Sequence, residues 1–215
     1  MYDTDEEQIE ALKGWWQENG NKLIAAILVF ALGYFGITTY RSSVQTGKET
    51  ASTAFQNLVN ITTDVDADAG NDIDYAAIDA QIDVLKVEHG KSVYATYAAL
   101  FGARFAVSKG DLEAAASELN WALDQNKDPV LESLIQLRLA RVEFARDNAE
   151  TALKLLSADG GSQQVAFDEL RGDILLSKGD VDGARAAYQT AWDAASEGTQ
   201  PRPVLEMKLN DLSVQ

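Results

Sequence analysis

Residues 23–40 read LIAAILVFALGYFGITTY, a run of 18 residues without a charged side chain between Lys22 and Arg41. As a helix with a rise of about 1.5 Å per residue, this apolar run would be roughly 27 Å long, close to the ~30 Å hydrocarbon core of a bilayer. It predicts a single N-terminal transmembrane helix. The alternative is a buried core helix, because 18 residues is the lower limit for a span. We expect the membrane-anchoring side chains to be Leu23, Ile24, Ile27, Leu28, Val29, Phe30, Leu32, Phe35, Ile37 and Tyr40.

The composition of the apolar run favours lipid. Nine of its side chains are Leu, Ile, Val or Phe, and at about −0.3 to −0.6 kcal/mol each they favour insertion by about 3 to 5 kcal/mol. Trp15 and Trp16 precede the run and Tyr40 ends it, as expected for aromatic side chains at the two membrane interfaces. The run is longer than a signal-peptide core, and no small-x-small cleavage site follows it. We therefore interpret it as a retained signal-anchor.

The segment before the apolar run, residues 1–22, is short and polar. Ile9, Leu12 and Trp16 are spaced for one face of a short helix. The sequence ENGN at 18–21 predicts a break in that helix before the span. Two basic residues lie close to the run on each side, so the positive-inside rule leaves the orientation open.

The whole composition limits the classes of function. The chain has 215 residues, enough for one anchor and one compact domain, and its net charge is −16. Such a surface repels phosphates, so we expect no nucleic-acid partner. The chain has no cysteine and one histidine, His89, so neither a sulfur-ligated metal nor a Cys-His pair is available.

After the apolar run, the periodicity remains helical. Val44, Ala51, Ala54, Phe55 and Leu58 follow an i, i+3, i+4, i+7 rhythm, which predicts a helix that packs one face on the following domain. This helix is expected to end in a polar, acidic loop at 62–74, TTDVDADAGNDID.

From Tyr75 onward the sequence predicts helices only, and one pattern recurs three times. In each copy a small residue is followed 12 positions later by alanine and 16 positions later by a large apolar residue. The three copies are Ala103–Ala115–Leu119, Ala140–Ala152–Leu156 and Gly172–Ala184–Tyr188. Their spacings of 37 and 32 residues bracket the tetratricopeptide period of about 34. The pattern predicts a solenoid of antiparallel helix pairs, in which the small residue lets the paired helices approach.

Turn and cap signals separate the predicted helices. KGD at 109–111, RDN at 146–148 and KGD at 178–180 divide the two helices of each copy, with a glycine or asparagine to stop one helix and an aspartate to cap the next. Asp128-Pro129 begins the second copy, with proline in the first turn. The C-terminal PRPVLEMKLNDLSVQ predicts a last helix that covers the end of the stack.

Arg104 and Arg141 occupy equivalent positions in the first two copies, directly after the small packing residue. In stacked helix pairs the first helices line the inner wall, so these arginines are candidate contacts for an acidic or extended peptide. The alternative is that they pair with carboxylates on adjacent helices. No nucleotide-binding or hydrolase motif occurs, so we predict no enzyme, no cofactor and no small-molecule substrate.

Four stretches together resemble the YfgM-like family, the ancillary SecYEG translocon subunits. They are EEQIEALKGWWQENGNKL before the apolar run, AFQNLV at 54–59, LRLARVE at 137–143 and ELRGDILLSKGDVDGAR at 169–185, with EMKLNDLS at 206–213 closing the chain in the family's manner. The resemblance covers nearly the whole chain. The loop at 62–74 is where the sequence departs from it.

The resemblance implies a single-pass protein of the bacterial inner membrane. Its segments would be a cytoplasmic N-terminus (1–22), the transmembrane helix (23–40) and a periplasmic tetratricopeptide-like domain (41–215). It also implies association with the SecYEG translocon and with a membrane-anchored periplasmic peptidyl-prolyl isomerase-like chaperone, to which translocated proteins are handed over. The alternative function is an anchored adaptor for another envelope process, such as cytochrome c maturation or cell division.

Overall fold

The computed structural model of the protein describes residues 4–67, 74–196 and 202–213. These ranges are all-α, which confirms the predicted fold class. A single turn of 3-10 helix, Gly161–Gln163, precedes the seventh α-helix. The α-helices are α1 (Thr4–Ala67), α2 (Tyr75–His89), α3 (Val93–Ser108), α4 (Leu112–Gln125), α5 (Pro129–Ala145), α6 (Ala149–Leu155), α7 (Gln164–Ser177), α8 (Val181–Ser196) and α9 (Pro203–Ser213).

The chain divides into two compact units, Met1–Thr50 and Ala51–Gln215. In the first unit, the apolar run lies within α1, and it is the one stretch of the described residues long and apolar enough to cross a membrane. Its large side chains are exposed, from 37% at Leu23 to 77% at Phe30. A core helix would bury them, so the exposure contradicts the alternative of a buried helix and supports a membrane anchor.

The predicted helix break at 18–21 is wrong, because α1 continues through it. The segment contains no proline, and one glycine in a helix interior costs only about 1 kcal/mol. Local contacts also hold it: Asn19 Nδ2 donates to the carbonyl of Trp15 at 3.3 Å. The Trp16 indole lies over Gly20, where an added Cβ would lie 3.2 Å from its Cε2 atom.

The second unit begins with the last turns of α1. Ala51 and Leu58 are fully buried, and Leu58 packs with Ile78 and Ile82 of α2. Val44, predicted to share this packed face, is exposed in the first unit. The prediction of a loop from residue 62 is also wrong, since α1 runs to Ala67; residues 68–73 of that loop lie outside the described residues.

The three sequence repeats are three packed helix pairs: α3 with α4, α5 with α6, and α7 with α8. All three alanines at the second repeat position are fully buried, and the small residues at the first position and the large ones at the third are buried too. Small residues at the first position bring the paired helices together, as the spacing predicted.

The turns inside the three pairs share one backbone geometry. The central residues Gly110, Asp147 and Gly179 have φ values of 77°, 62° and 82°. The next residue in each turn donates its N–H to a carbonyl five positions earlier, at 2.9, 2.9 and 3.0 Å, which is the Schellman bond. In the second turn, asparagine was predicted to stop the helix. Asp147 does so instead, and Asn148 becomes the N-cap of α6.

The core of the second unit is a row of four clusters rather than one centre. Each cluster joins consecutive elements, so each helix pair is buried by its neighbours, as in a solenoid. At the C-terminal end, Leu205 and Leu212 of α9 pack against Tyr188 and Ala191 of α8. The predicted covering role of the last helix is confirmed, although Val204 and Met207 on α9 are exposed.

Candidate partner-binding groove

Both predicted arginines line the same groove of the second unit. Arg104 lies on α3 and Arg141 on α5, each one residue after the small residue that packs inside its helix pair. Their side chains are exposed and enter a groove of about 380 Å³. This volume is within the range of sites that hold small ligands or short peptide segments.

Apart from three arginines, the walls of this groove are apolar. Leu112 and Leu119 of α4 line it together with Val142 and Ala145 of α5. The complete lining is Leu100, Ala103, Arg104, Val107, Leu112, Leu119, Arg138, Arg141, Val142 and Ala145. No acidic side chain is among these residues, although the chain carries a net charge of −16.

The structure adds Arg138, which the sequence analysis missed. Arg138 lies three residues before Arg141 on α5, so the two side chains share one face of the helix. It has no counterpart in the other repeats, where Phe101 and Leu170 stand at the equivalent positions. The spacing within LRLAR at 137–141 was the signal available for it.

A second pocket, of about 450 Å³, adjoins the first and shares Leu100, Arg104 and Arg138 with it. It is completed by Phe55 of α1, Tyr97 and Phe101 of α3 and Leu134 of α5. The ring centroids of Phe55 and Phe101 are 5.9 Å apart in an edge-on arrangement, which is favourable for aromatic pairs. We refer to the two pockets together as the arginine groove.

Arg138 is affected by its place in the arginine groove. Burial and the positive charge of Arg141 together lower the pKa of Arg138 from its usual value. Because the groove offers no carboxylate, this repulsion is not compensated there. The Cζ atom of Arg104 is 5.6 Å from the centre of the Phe105 ring, which is within the range of a cation–π contact.

Several other basic side chains of the second unit have carboxylate partners. Arg146 donates to Glu143 at 2.7 Å, and Lys208 donates to Glu169 at 2.9 Å. Among the described residues, no carboxylate forms an ion pair with Arg138 or Arg141. The alternative for Arg141 was an ion pair with a carboxylate on an adjacent helix, and the described structure does not show one.

The third repeat differs at the position of the arginines. Asp173 stands there, and it accepts hydrogen bonds from the Tyr188 hydroxyl at 2.7 Å and from Lys208 Nζ at 2.6 Å. Tyr188 is on α8 and Lys208 on α9, so this aspartate joins the last repeat to the covering helix. Arginine at this repeat position thus occurs only in the first two repeats.

The arginine groove offers hydrogen-bond donors beside apolar side chains. A guanidinium stays protonated at physiological pH, so it donates hydrogen bonds but does not act as a general acid or base. His89 is the last residue of α2 and lines neither pocket. In the described ranges, no group of three or more His, Cys, Asp or Glu side chains is arranged to hold a metal ion.

Comparison with known proteins covers both the apolar run and the repeats. A family model described as a tetratricopeptide repeat-like domain matches residues 13–214. The ancillary SecYEG translocon subunit of Haemophilus influenzae is 33% identical over 98% of this chain and 99% of its own length. The protein of the same name from Escherichia coli is 32% identical over 100% of this chain and 99% of its own, and that from Neisseria gonorrhoeae is 24% identical over 97% of both. No solved structure matches the chain.

Proposed function

The chain belongs to the tetratricopeptide repeat-like family of ancillary SecYEG translocon subunits, and from this premise we propose that it is a membrane-anchored adaptor of the SecYEG translocon. The observation that carries the proposal is the extent of the similarity. It spans 98% to 100% of the chain, so it includes the anchor and all three repeats together. The fold agrees with an adaptor, because repeat stacks act through extended binding surfaces.

The finer proposal concerns topology and partners. Residues 1–22 are cytoplasmic, residues 23–40 cross the inner membrane as a signal-anchor, and residues 41–215 lie in the periplasm. In this position the second unit receives polypeptides that leave the SecYEG channel. It passes them to a membrane-anchored periplasmic peptidyl-prolyl isomerase-like chaperone. The arginine groove supports this role, because it combines apolar pockets with the hydrogen-bond donors of Arg138 and Arg141.

Site-specific crosslinking in living cells tests the proposal. A photoreactive residue replaces Ala145, which lines the groove on α5. The control replaces Gln136, which lies nine residues earlier on α5 and lines a separate pocket. Nine residues correspond to two and a half helical turns, so the two probes point in opposite directions. Captured partners are then identified by mass spectrometry.

We expect the Ala145 probe to capture SecYEG subunits, the periplasmic chaperone or chains in transit, and the Gln136 probe to capture fewer of them. Co-purification from gently solubilised membranes is the second measurement. Recovery without any SecYEG subunit in both measurements would contradict the proposal. Capture of cytochrome c maturation or cell-division proteins instead would favour the alternative adaptor function.

A further inference from the structure

We propose that the arginine groove binds an extended acidic polypeptide segment that places one carboxylate against Arg138 and Arg141 and one apolar side chain in each of the two pockets. The inference rests on the proposed function, since it specifies which translocated segments the adaptor holds. It commits to a partner chain with a local apolar–x–acidic–x–apolar pattern.

The carboxylate is argued from the charge distribution. Arg138 and Arg141 lie three residues apart on α5, and burial together with the positive charge of Arg141 lowers the pKa of Arg138. Their neighbours in the groove are apolar, and a bound carboxylate would accept hydrogen bonds from both guanidiniums and remove the repulsion. The protein carries a net charge of −16. In its described part, Arg138 and Arg141 nevertheless have no ion-pair partner. The groove is therefore complementary to an anion at this place.

The flanking apolar side chains follow from the shared wall between the pockets. Leu100, Arg104 and Arg138 line both pockets, so Arg138 lies at their boundary. One pocket continues over aliphatic side chains and the other over three aromatic ones, Phe55, Tyr97 and Phe101. In an extended peptide, residues i and i+2 point to the same side. A carboxylate at the boundary therefore directs the side chains two positions before and after it into the two pockets.

Peptide binding to the full chain in phosphatidylcholine nanodiscs tests the proposal by fluorescence anisotropy. The probe is a fluorescein-labelled peptide with the core Leu-Ser-Glu-Ser-Phe between Gly-Ser flanks. The comparison peptide has glutamine in place of glutamate. We expect the glutamate peptide to bind about tenfold more tightly, because hydrogen bonds to a charged group are stronger than neutral ones. Its affinity should also fall as the salt concentration rises.

Matched variants show whether the arginines are responsible. The double variant Arg138→Gln and Arg141→Gln should lose the preference for glutamate. The control double variant Lys91→Gln and Lys127→Gln removes the same charge from exposed positions outside both pockets and should keep the preference. Circular dichroism of all variants establishes that each retains the native helix content.

Equal affinity for the two peptides would overturn the proposal, as would a glutamate preference that survives the arginine substitutions. Arginine-dependent dimerisation without peptide binding would identify a second copy as the occupant and would equally overturn it. These results are distinct from a failure of the proposed function. The adaptor proposal fails when the chain co-purifies without SecYEG, whatever its peptide preference.

Discussion

Gly172 on α7 lies directly beneath the ring of Tyr188 on α8: a Cβ atom on Gly172 would be 2.4 Å from the Cε1 atom of the ring. In the other two repeats the equivalent pairs are Ala103 with Leu119 and Ala140 with Leu156. The third repeat thus exchanges an alanine–leucine pair for a glycine–tyrosine pair at the same helix contact. Small and large side chains compensate each other there.

The first prediction is a test of this compensation. Gly172→Ala should destabilise the second unit by about 1–3 kcal/mol, because the ring is almost fully buried and has little room to move. In a domain of this size, that corresponds to a fall of about 2–4 °C in the melting temperature for each kcal/mol. The measurement is thermal unfolding of the full chain in detergent, followed by circular dichroism.

The control is the double variant Gly172→Ala and Tyr188→Leu, which recreates the pair of the other repeats. Its destabilisation should be smaller than the sum of the two single effects by about 1 kcal/mol or more, since the clash is removed. Additive effects would show that the two residues do not constrain each other.

The second prediction concerns alkaline pH. Burial, together with the hydrogen bond to Asp173, raises the pKa of the Tyr188 hydroxyl. A pKa raised in the folded state adds stability below the ordinary value of about 10, and this stability is lost as pH rises above it. Tyr188→Phe should therefore lower the melting temperature at pH 8, and the difference from the native chain should shrink at pH 11. A difference in melting temperature that is the same at pH 8 and pH 11 would contradict a raised pKa of Tyr188 in the folded state.

Lys208 should also stabilise the folded state at neutral pH and lose this effect at alkaline pH. Burial alone would lower its pKa, but the hydrogen bonds to Asp173 and Glu169 outweigh burial and raise it. The stability it provides is thus complete below its ordinary pKa of about 10.5 and disappears as pH rises through the raised value. In the Tyr188→Phe variant, some alkaline sensitivity should remain, and adding Lys208→Gln should reduce it further.

The third prediction uses the turn at Asp147, the one described non-glycine residue with positive φ. Glycine adopts this conformation without the strain of about 1–2 kcal/mol that an L side chain brings. Part of the stability gained in this way is lost, because glycine has a larger conformational entropy in the unfolded chain. Asp147→Gly should therefore stabilise the protein by about 0.5 kcal/mol. The melting temperature measures the effect.

The matched control is Gly110→Ala in the equivalent turn of the first repeat. No atom lies within 4 Å of an added Cβ there, so the expected loss of about 1 kcal/mol comes from the backbone alone. Opposite signs for the two variants are the expected result. Two losses would mean that the Asp147 side chain stabilises its turn by more than the strain it causes.

Much of the fold was predictable because it depends on local signals. Small residues 12 positions before an alanine marked each helix pair, and Asp128 and Asp111 capped the helices they were expected to cap. The wrong predictions concern features of the fold that a long-range or cooperative effect determines. The helix passes through residues 18–21 because it is long enough to absorb a poor local propensity.

The groove was predictable only as far as the repeats determine it. Arg104 and Arg141 were found because they occupy the same repeat position, and neighbouring repeats place such positions side by side. Arg138 breaks the repeat, so only its place on the helical face of Arg141 pointed to it. Phe55 reaches the second pocket from α1, outside the repeats. The helical rhythm predicted that it packs on the following domain, but not that it lies beside α3.

The fourth prediction compares two glutamates that both bind Arg146. Glu143 is buried and accepts from Arg146 and from Asn148, both at 2.7 Å. The side chain of Glu113 is 81% exposed, against 7% for Glu143. Glu143→Gln should cost about 1–3 kcal/mol because it leaves buried donors poorly satisfied. Glu113→Gln should change stability by less than about 0.5 kcal/mol, as exposed ion pairs contribute little. Similar losses for the two variants in thermal unfolding would contradict this difference.

The fifth prediction concerns the anchor. The double variant Val29→Arg and Leu32→Arg places two charges in the middle of the apolar run, at an insertion cost of about 2.5–3.5 kcal/mol each. This exceeds the roughly 3–5 kcal/mol by which the apolar side chains favour lipid, so insertion becomes unfavourable. The variant should be released from membranes by alkaline carbonate, whereas the native chain stays with them. Val44→Arg, at an exposed position outside the run, should also stay. A native chain released by carbonate would show that residues 23–40 do not reside in lipid.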